Sequence, residues 1–207
     1  MISVSILSKK DDYVDSINEI NNSDADFLHL DIMDNTFTDS ISFDYDDSKK
    51  ISILNNKKLD VHIMSNDLDN VLKDYIKLKP DIISFHFEAT NKIKKYIDLI
   101  KKYNIKAGIA INPDTNVSDI YPYLDDIDVV LVMGVYAGKG GQKYIENTTE
   151  KLKLLKKLKD NYNYLIAVDG GINDIIVKEI KRYTDIIVCG SYITNSDDYK
   201  EKINKLK

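Results

Sequence analysis

The chain has three histidines, His29, His62 and His86, and each lies late in a short apolar run. Two of them stand two residues from an aspartate, in His29-Leu30-Asp31 and Asp60-Val61-His62. On an extended strand residues i and i+2 face the same way, so each pair projects an imidazole and a carboxylate together. A further carboxylate, Asp169, ends another apolar run and is followed at once by Gly170-Gly171. Two imidazoles and two carboxylates converging at one rim would suit a divalent transition metal, which takes nitrogen and oxygen donors together. Buried Asp–His hydrogen bonding would explain the same spacing without an ion. Spacing alone leaves both readings open.

Three glycine turns follow late apolar runs: Gly138-Lys139-Gly140-Gly141, Gly170-Gly171 and Gly190-Ser191. Glycine lets backbone N–H groups approach an anion closely. Neither GxGxxG nor a Walker A pattern is present, so a phosphate monoester is favoured over a dinucleotide or nucleoside triphosphate.

The elements that must position these residues are legible as alternation. Eight nearly continuous apolar runs, Ile2–Leu7, Phe27–Met33, Leu59–Met64, Ile82–Phe87, Ala107–Ile111, Val129–Val135, Leu165–Val168 and Ile186–Cys189, read as strands buried on both faces of a parallel sheet. Segments with helical spacing lie between them, including Asn66–Lys77, Asn91–Tyr103 and Glu146–Lys159, where Leu152, Leu155 and Leu158 recur among lysines. Eight strands interleaved with helices predict a single-domain (β/α)8 TIM barrel over residues 1–207. An open doubly wound sheet is the alternative, and it usually carries fewer strands. In such a barrel chemistry gathers at the C-terminal ends of the strands, where the histidines and glycine turns fall. No sequence-level repeat is detectable. The lysine-rich stretch 151–159 reads as an outer helix with a solvated face rather than a membrane or partner helix.

Composition narrows the partners. The 207 residues carry 29 Lys and Arg against 34 Asp and Glu, a net charge of −5, which argues against nucleic acid or an anionic membrane. One cysteine, Cys189, excludes an internal disulfide. No apolar run approaches membrane-spanning length and Met1–Ser5 shows no basic segment before its apolar stretch, so the expected location is cytoplasmic.

Taken in order, HLDIMD (29–34), DVHIM (60–64), HFEAT (86–90), AGIAINPDT (107–115), VLVMGV (130–135), GKGGQKY (138–144) and AVDGGIN (167–173) make the chain resemble the ribulose-phosphate 3-epimerases from Ser5-Ile6-Leu7-Ser8 to Gly190-Ser191. Decarboxylases and hexulose-phosphate synthases of related fold use a lysine beside aspartates on strand three; LDVHIM has none. The resemblance implies a barrel of the ribulose-phosphate-binding type. It also implies metal ligation by His29, Asp31, His62 and Asp169, with Asp31 and Asp169 as the acid/base pair. Ser5, His62, Met33, Met64 and Met133 would contact the substrate near its reacting centre. Gly138, Lys139, Gly140, Gly141, Gln142, Gly170, Gly171, Gly190 and Ser191 would surround its phosphate end. The implied donor set suits one divalent ion, Zn²⁺, Fe²⁺, Mn²⁺ or Co²⁺, better than Mg²⁺.

The implied reaction interconverts D-ribulose 5-phosphate and D-xylulose 5-phosphate. Inverting carbon 3 of a 2-ketose means removing a proton beside the carbonyl and returning it on the other face. One carboxylate cannot serve both faces, and strands two and seven stand roughly 135° apart around a ring of eight. Two stretches depart from the family pattern: MDNTFTDS (33–40) where MDGHFVPN is usual, and Tyr136–Tyr144, where Lys139 replaces a phenylalanine. These departures keep another ketose phosphate, such as allulose 6-phosphate, as the alternative substrate. A non-catalytic sugar-phosphate-binding barrel is the rival of another class. Neither the pathway nor a homo-oligomeric state follows from the sequence.

Overall fold

The computed structural model describes all 207 residues. The apolar runs form eight parallel strands: β1 (Ile2–Ser5), β2 (Phe27–Met33), β3 (Lys58–Met64), β4 (Ile82–His86), β5 (Lys106–Ile111), β6 (Val129–Met133), β7 (Leu165–Asp169) and β8 (Ile186–Cys189). Each pairs with the next and β8 pairs with β1, so the sheet closes into a barrel. Three runs end earlier than their hydropathy suggests, the third being β4, which stops one residue short at His86. β1 stops at Ser5 because the chain enters a short 3-10 turn, Leu7–Lys9. β6 stops at Met133 because the Gly134 N–H turns to the Asp169 carbonyl, 2.6 Å away.

Helices α1 (Val14–Asn21), α2 (Tyr45–Leu54), α3 (Leu68–Tyr75), α4 (Ile93–Lys101), α5 (Asn147–Leu158), α6 (Ile176–Ile180), α7 (Ser191–Thr194) and α8 (Tyr199–Leu206) surround the barrel. In α4 the buried residues Ile93, Tyr96, Ile97 and Ile100 form one stripe at helical spacing, facing the sheet. Between β5 and β6 there is only a 3-10 segment, Val117–Tyr123, containing Pro122. No helix is long and apolar enough to cross a membrane. The uniformly solvated lysine face expected for 151–159 is corrected at one position. Lys151 is buried on α5, and its Nζ donates to the carbonyls of Asn112, Pro113 and Thr115 at 2.9, 2.6 and 2.6 Å. Three fixed acceptors make burial of that ammonium tolerable.

Outward-facing strand residues such as Leu28, Leu30, Val61 and Ile109 join the helices in a main core of 48 residues. The barrel interior is divided. Its β5–β8 half is apolar apart from Asp169 at the end of β7, with Ala110, Leu131, Met133, Ala167 and Val188 in one smaller cluster. Its β1–β4 half is polar, presenting Ser3, Ser5, His29, Asp31, Asp60, His62, Ser84 and His86, all buried. Polar groups so placed must satisfy one another or a ligand.

At the opposite end of the barrel, Asp26, Asp81, Asp128 and Asp185 stand just before β2, β4, β6 and β8. Each carboxylate accepts the N–H of a residue at the start of the preceding odd-numbered strand. The acceptor distances are 2.7 Å from Ile2, 2.9 Å from Leu59, 2.9 Å from Ala107 and 2.8 Å from Ile166. This fourfold device ties neighbouring strand starts together.

Candidate active site

Register fixes the depth of each polar residue. His29 stands beside Asp60 on β3, and Asp31 stands one layer higher beside His62. The Nδ1 of His29 is 2.7 Å from Asp60 Oδ2, which also accepts the Ser3 hydroxyl at 2.9 Å. Its Nε2 lies 3.3 Å from Asp31 Oδ1 and makes no hydrogen bond, although the ring is fully buried. His62 Nδ1 lies 3.2 Å from the same Asp31 oxygen and 4.0 Å from Asp169 Oδ2. One donor atom from each of His29, Asp31, His62 and Asp169 therefore falls within 4.8 Å of the others. An orphaned, buried imidazole nitrogen aimed at two carboxylates and a second imidazole is what a bound cation would complete. The residues fit one divalent ion held by mixed nitrogen and oxygen donors.

Charge within the cluster is uneven. Burial penalises a charged His29 ring, yet Asp60 and Asp31 outweigh it and raise its pKa well above the ordinary imidazole value. Burial likewise opposes ionisation of Asp31, but His29 and His62 overcome it and hold the carboxyl well below the usual range. Ser5 Oγ donates to the other oxygen of Asp31 at 2.7 Å. Burial and the neighbouring Asp31 charge instead push Asp169 up to about 7. Two carboxyls facing one point are thus set at opposite ends of the carboxylate range, the arrangement that separates a base from an acid.

Above the cluster opens a cavity of about 290 Å³, at the small end for ligand sites. Ser5, Asp31, Met64, Met133 and Asp169 line its floor. The turns Gly138–Gly141, Gly170-Gly171 and Gly190-Ser191 line its wall, with Lys139 and Gln142. Gly170 and Gly171 have φ of 107° and 70°, and a Cβ on Gly171 would meet the Tyr144 backbone nitrogen at 2.4 Å, so no other residue fits there. His29 and His62 lie beneath the floor, and Met33 is buried outside the lining. The Gln142 amide is already engaged, donating to the carbonyls of Tyr136 and Lys139 at 2.8 and 2.9 Å.

Several contributors carry no role in the sequence reading, or, like Asp60, a different one. Asp60 lies one layer too deep to join the cluster and orients His29 instead. His86 Nε2 meets His62 Nε2 at 3.0 Å, and His86 Nδ1 meets Glu88 Oε2 at 2.8 Å. The available signal was the i, i+2 spacing of His86 and Glu88 within HFEAT. Tyr136 and Asn173, from loops, and Tyr192, from α7, also line the cavity.

The ribulose-phosphate 3 epimerase family pattern matches residues 1–194. Ribulose-phosphate 3-epimerase of Buchnera aphidicola subsp. Baizongia pistaciae is 36% identical over 199 residues, covering 93% of this chain and 87% of that protein. The Bacillus subtilis ribulose-phosphate 3-epimerase is 33% identical over 195 residues, covering 92% and 90%. Among solved structures, 3-hexulose-6-phosphate synthase from Salmonella typhimurium matches with a TM-score of 0.69 at 18% identity, over 99% of this chain and 95% of that one. Thiamine phosphate pyrophosphorylase from Pyrococcus furiosus gives 0.66 at 15% identity, over 99% and 92%. These two likenesses are of fold alone, whereas the sequence relatives and the match along nearly the whole chain are specific. The chain belongs to the ribulose-phosphate 3-epimerase family.

Proposed function

We propose that this chain is a cytoplasmic, metal-dependent 3-epimerase that interconverts D-ribulose 5-phosphate and D-xylulose 5-phosphate. The observation that carries the reading is the convergence of Asp31 from β2 and Asp169 from β7 on the buried imidazoles of His29 and His62, beneath a cavity walled by glycine turns. His29 Nε2, His62 Nδ1, Asp31 and Asp169 would hold one Zn²⁺, Fe²⁺, Mn²⁺ or Co²⁺ ion. When bound, that ion supplies a Lewis acid for negative charge developing on the substrate oxygens.

The remaining work falls to the chain. Asp31, ionised and steadied at one oxygen by Ser5, takes the carbon-3 proton on one face. Asp169, from the opposite side of the cluster, returns one on the other face. The roles exchange in the reverse direction. Met64 and Met133 provide an apolar floor that keeps water from the enediolate between the two steps. The backbones of Gly170, Gly171, Gly190 and Ser191 receive the phosphate, and Lys139 adds a charge-assisted contact from the facing loop. A pure sugar-phosphate-binding barrel would not need carboxylates on opposed sides of its ligand.

A related ketose phosphate is the second reading, and one specific observation supports it. Thr38 packs where a Gly138 side chain would stand, so the two divergent loops, 33–40 and 136–144, meet beside a residue that lines the cavity. The test is a panel of ketose phosphates incubated with metal-loaded enzyme in deuterium oxide and followed by NMR. Ribulose 5-phosphate should convert to its C3 epimer with deuterium at carbon 3. Binding without exchange on any member would refute the catalytic reading, and exchange only on a hexulose phosphate would reassign the substrate.

A further inference from the structure

The four residues that converge beneath the cavity leave one chain of polar groups unused, buried at its two histidines and reaching the surface at Glu88. It begins at His62 Nε2, on the side of that ring turned away from Asp31, and passes to His86 Nε2 at 3.0 Å. It continues from His86 Nδ1 to Glu88 Oε2 at 2.8 Å. The other Glu88 oxygen, Oε1, accepts the Asn112 N–H at 2.7 Å and the Thr115 hydroxyl. The loop carrying Asn112 and Thr115 is in turn clamped by the buried Lys151 ammonium through three carbonyls. The Phe37 ring lies over His86 with centroids 4.5 Å apart, and both histidine rings are fully buried.

The hydrogen-bond polarity of this chain has one consistent direction. An ionised carboxylate only accepts, so Glu88 requires that His86 Nδ1 carry a proton and donate it. In a neutral His86 ring the Nε2 is then an acceptor. The facing His62 Nε2 must supply the single proton between the two rings. His62 Nδ1, 3.2 Å from Asp31 Oδ1 and 4.0 Å from Asp169 Oδ2, is then left without a proton, and a lone pair facing carboxylate oxygens is favourable only with a cation at the point shared with His29, Asp31 and Asp169. A neutral imidazole can ligate a metal only through its unprotonated nitrogen, so the far carboxylate selects the donor atom at the near end.

We infer that Glu88 and His86 are positioning residues which, through the chain Glu88–His86–His62, hold His62 in the Nε2–H tautomer and so ready its Nδ1 for the metal ion. The inference rests on the reading of His62 as a ligand and adds to it two residues, His86 and Glu88, that lie outside the set of four ligands. Neither touches the substrate-facing atoms of the cluster. Replacing Glu88 by Gln breaks the polarity in either amide orientation. An NH₂ group must face either the His86 donor or the Asn112 and Thr115 donors.

The experiment uses the full chain loaded with Zn²⁺, which is diamagnetic, and nitrogen-15 NMR of the histidine rings; with three histidines in the chain the spectrum is readily assigned. In the wild type His86 should show a protonated Nδ1 and an unprotonated Nε2, while His62 shows a protonated Nε2 and a metal-shifted Nδ1. Competition with a chelator should then show Zn²⁺ affinity weakened roughly ten- to a hundredfold in Glu88→Gln and Glu88→Ala. The metal-free melting temperature of each variant is measured alongside, because a merely structural role would lower it and leave Zn²⁺ affinity unmoved. A doubly protonated His86, an unprotonated His86 Nδ1, or affinities within twofold of wild type would overturn the relay while leaving the metal site standing. Failure of the wild type to bind one Zn²⁺ per chain would overturn the metal reading itself, and the relay with it.

Discussion

Both ends of this barrel are built with aspartates, and the two sets do opposite things. At the N-terminal end Asp26, Asp81, Asp128 and Asp185 each face a backbone N–H across 2.7–2.9 Å. Each gains a fixed donor and has only structure to supply. At the C-terminal end Asp31 and Asp169 face imidazoles and each other, buried over a shared point. There the carboxylates perturb one another, one held low and the other pushed up to about 7. Residue type is the same at both ends. What differs is the partner: an amide N–H, joined at Asp185 and Asp128 by the ammonium groups of Lys159 and Lys101, asks a carboxylate only to stay, whereas a second carboxylate and two imidazoles leave its proton negotiable.

The largest expected effect comes from emptying the C-terminal cluster. Chelated protein should lose turnover and regain it with one equivalent of Zn²⁺, Mn²⁺, Co²⁺ or Fe²⁺ per chain; full activity in rigorously metal-free protein would break the contrast at once. Next come Asp31→Asn and Asp169→Asn, each expected to lower kcat by about 10²–10⁴ at matched metal content. The N-terminal counterpart, Asp81→Asn, should leave kcat within about twofold, since its carboxylate touches only the Leu59 amide.

How far this contrast was legible in the sequence depends on which contacts it needs. The eight strands were legible because strands buried on both faces read as continuous apolar runs. Their ends were less so, because Ile6 and Val135 are buried by turns rather than by the sheet. The ligand candidates were legible because i, i+2 spacing fixes a shared face. Depth was not: only the register of β2 against β3 shows that Asp60 sits a layer below Asp31 and serves His29. Lys151 looks solvated by helical pattern, and three loop carbonyls override that pattern. The fourfold aspartate device escapes notice because its members recur at unequal intervals, set by loops and helices of different length.

Smaller effects sharpen the same comparison. Lys139→Met should raise KM by roughly ten- to a hundredfold with little change in kcat, because a phosphate contact is made equally in ground and transition states. An unchanged KM would remove Lys139 from the phosphate end. Asp26→Ala and Asp81→Ala should each cost about 2 kcal/mol of stability, a fall in Tm of about 4–8 °C in thermal melts, with kcat retained. Loss of activity without loss of stability in either would place chemistry at the wrong end.

The pH dependence of metal uptake follows from the cluster's charge. In metal-free protein near pH 6, His29 and Asp169 both hold protons that a cation must displace, since both pKa values are raised. Uptake should therefore release more protons per ion near pH 6 than near pH 8, as Asp169 ionises between them, with affinity weakening as pH falls through 7. Calorimetry in buffers of different ionisation enthalpy measures this directly. Proton release that is the same at both pH values would remove Asp169 from the ion.

The central claim is that two carboxylates serve opposite faces of one carbon, and the most direct measurement separates proton exchange from inversion. Each epimer of the ketose phosphate is incubated in deuterium oxide with metal-loaded Asp31→Asn or Asp169→Asn, and carbon-3 deuteration and interconversion are followed together by NMR. Interconversion should collapse in both variants. Residual exchange should survive for one epimer only, and for the opposite epimer in the other variant. Exchange of both epimers by either single variant would contradict the two-carboxylate account.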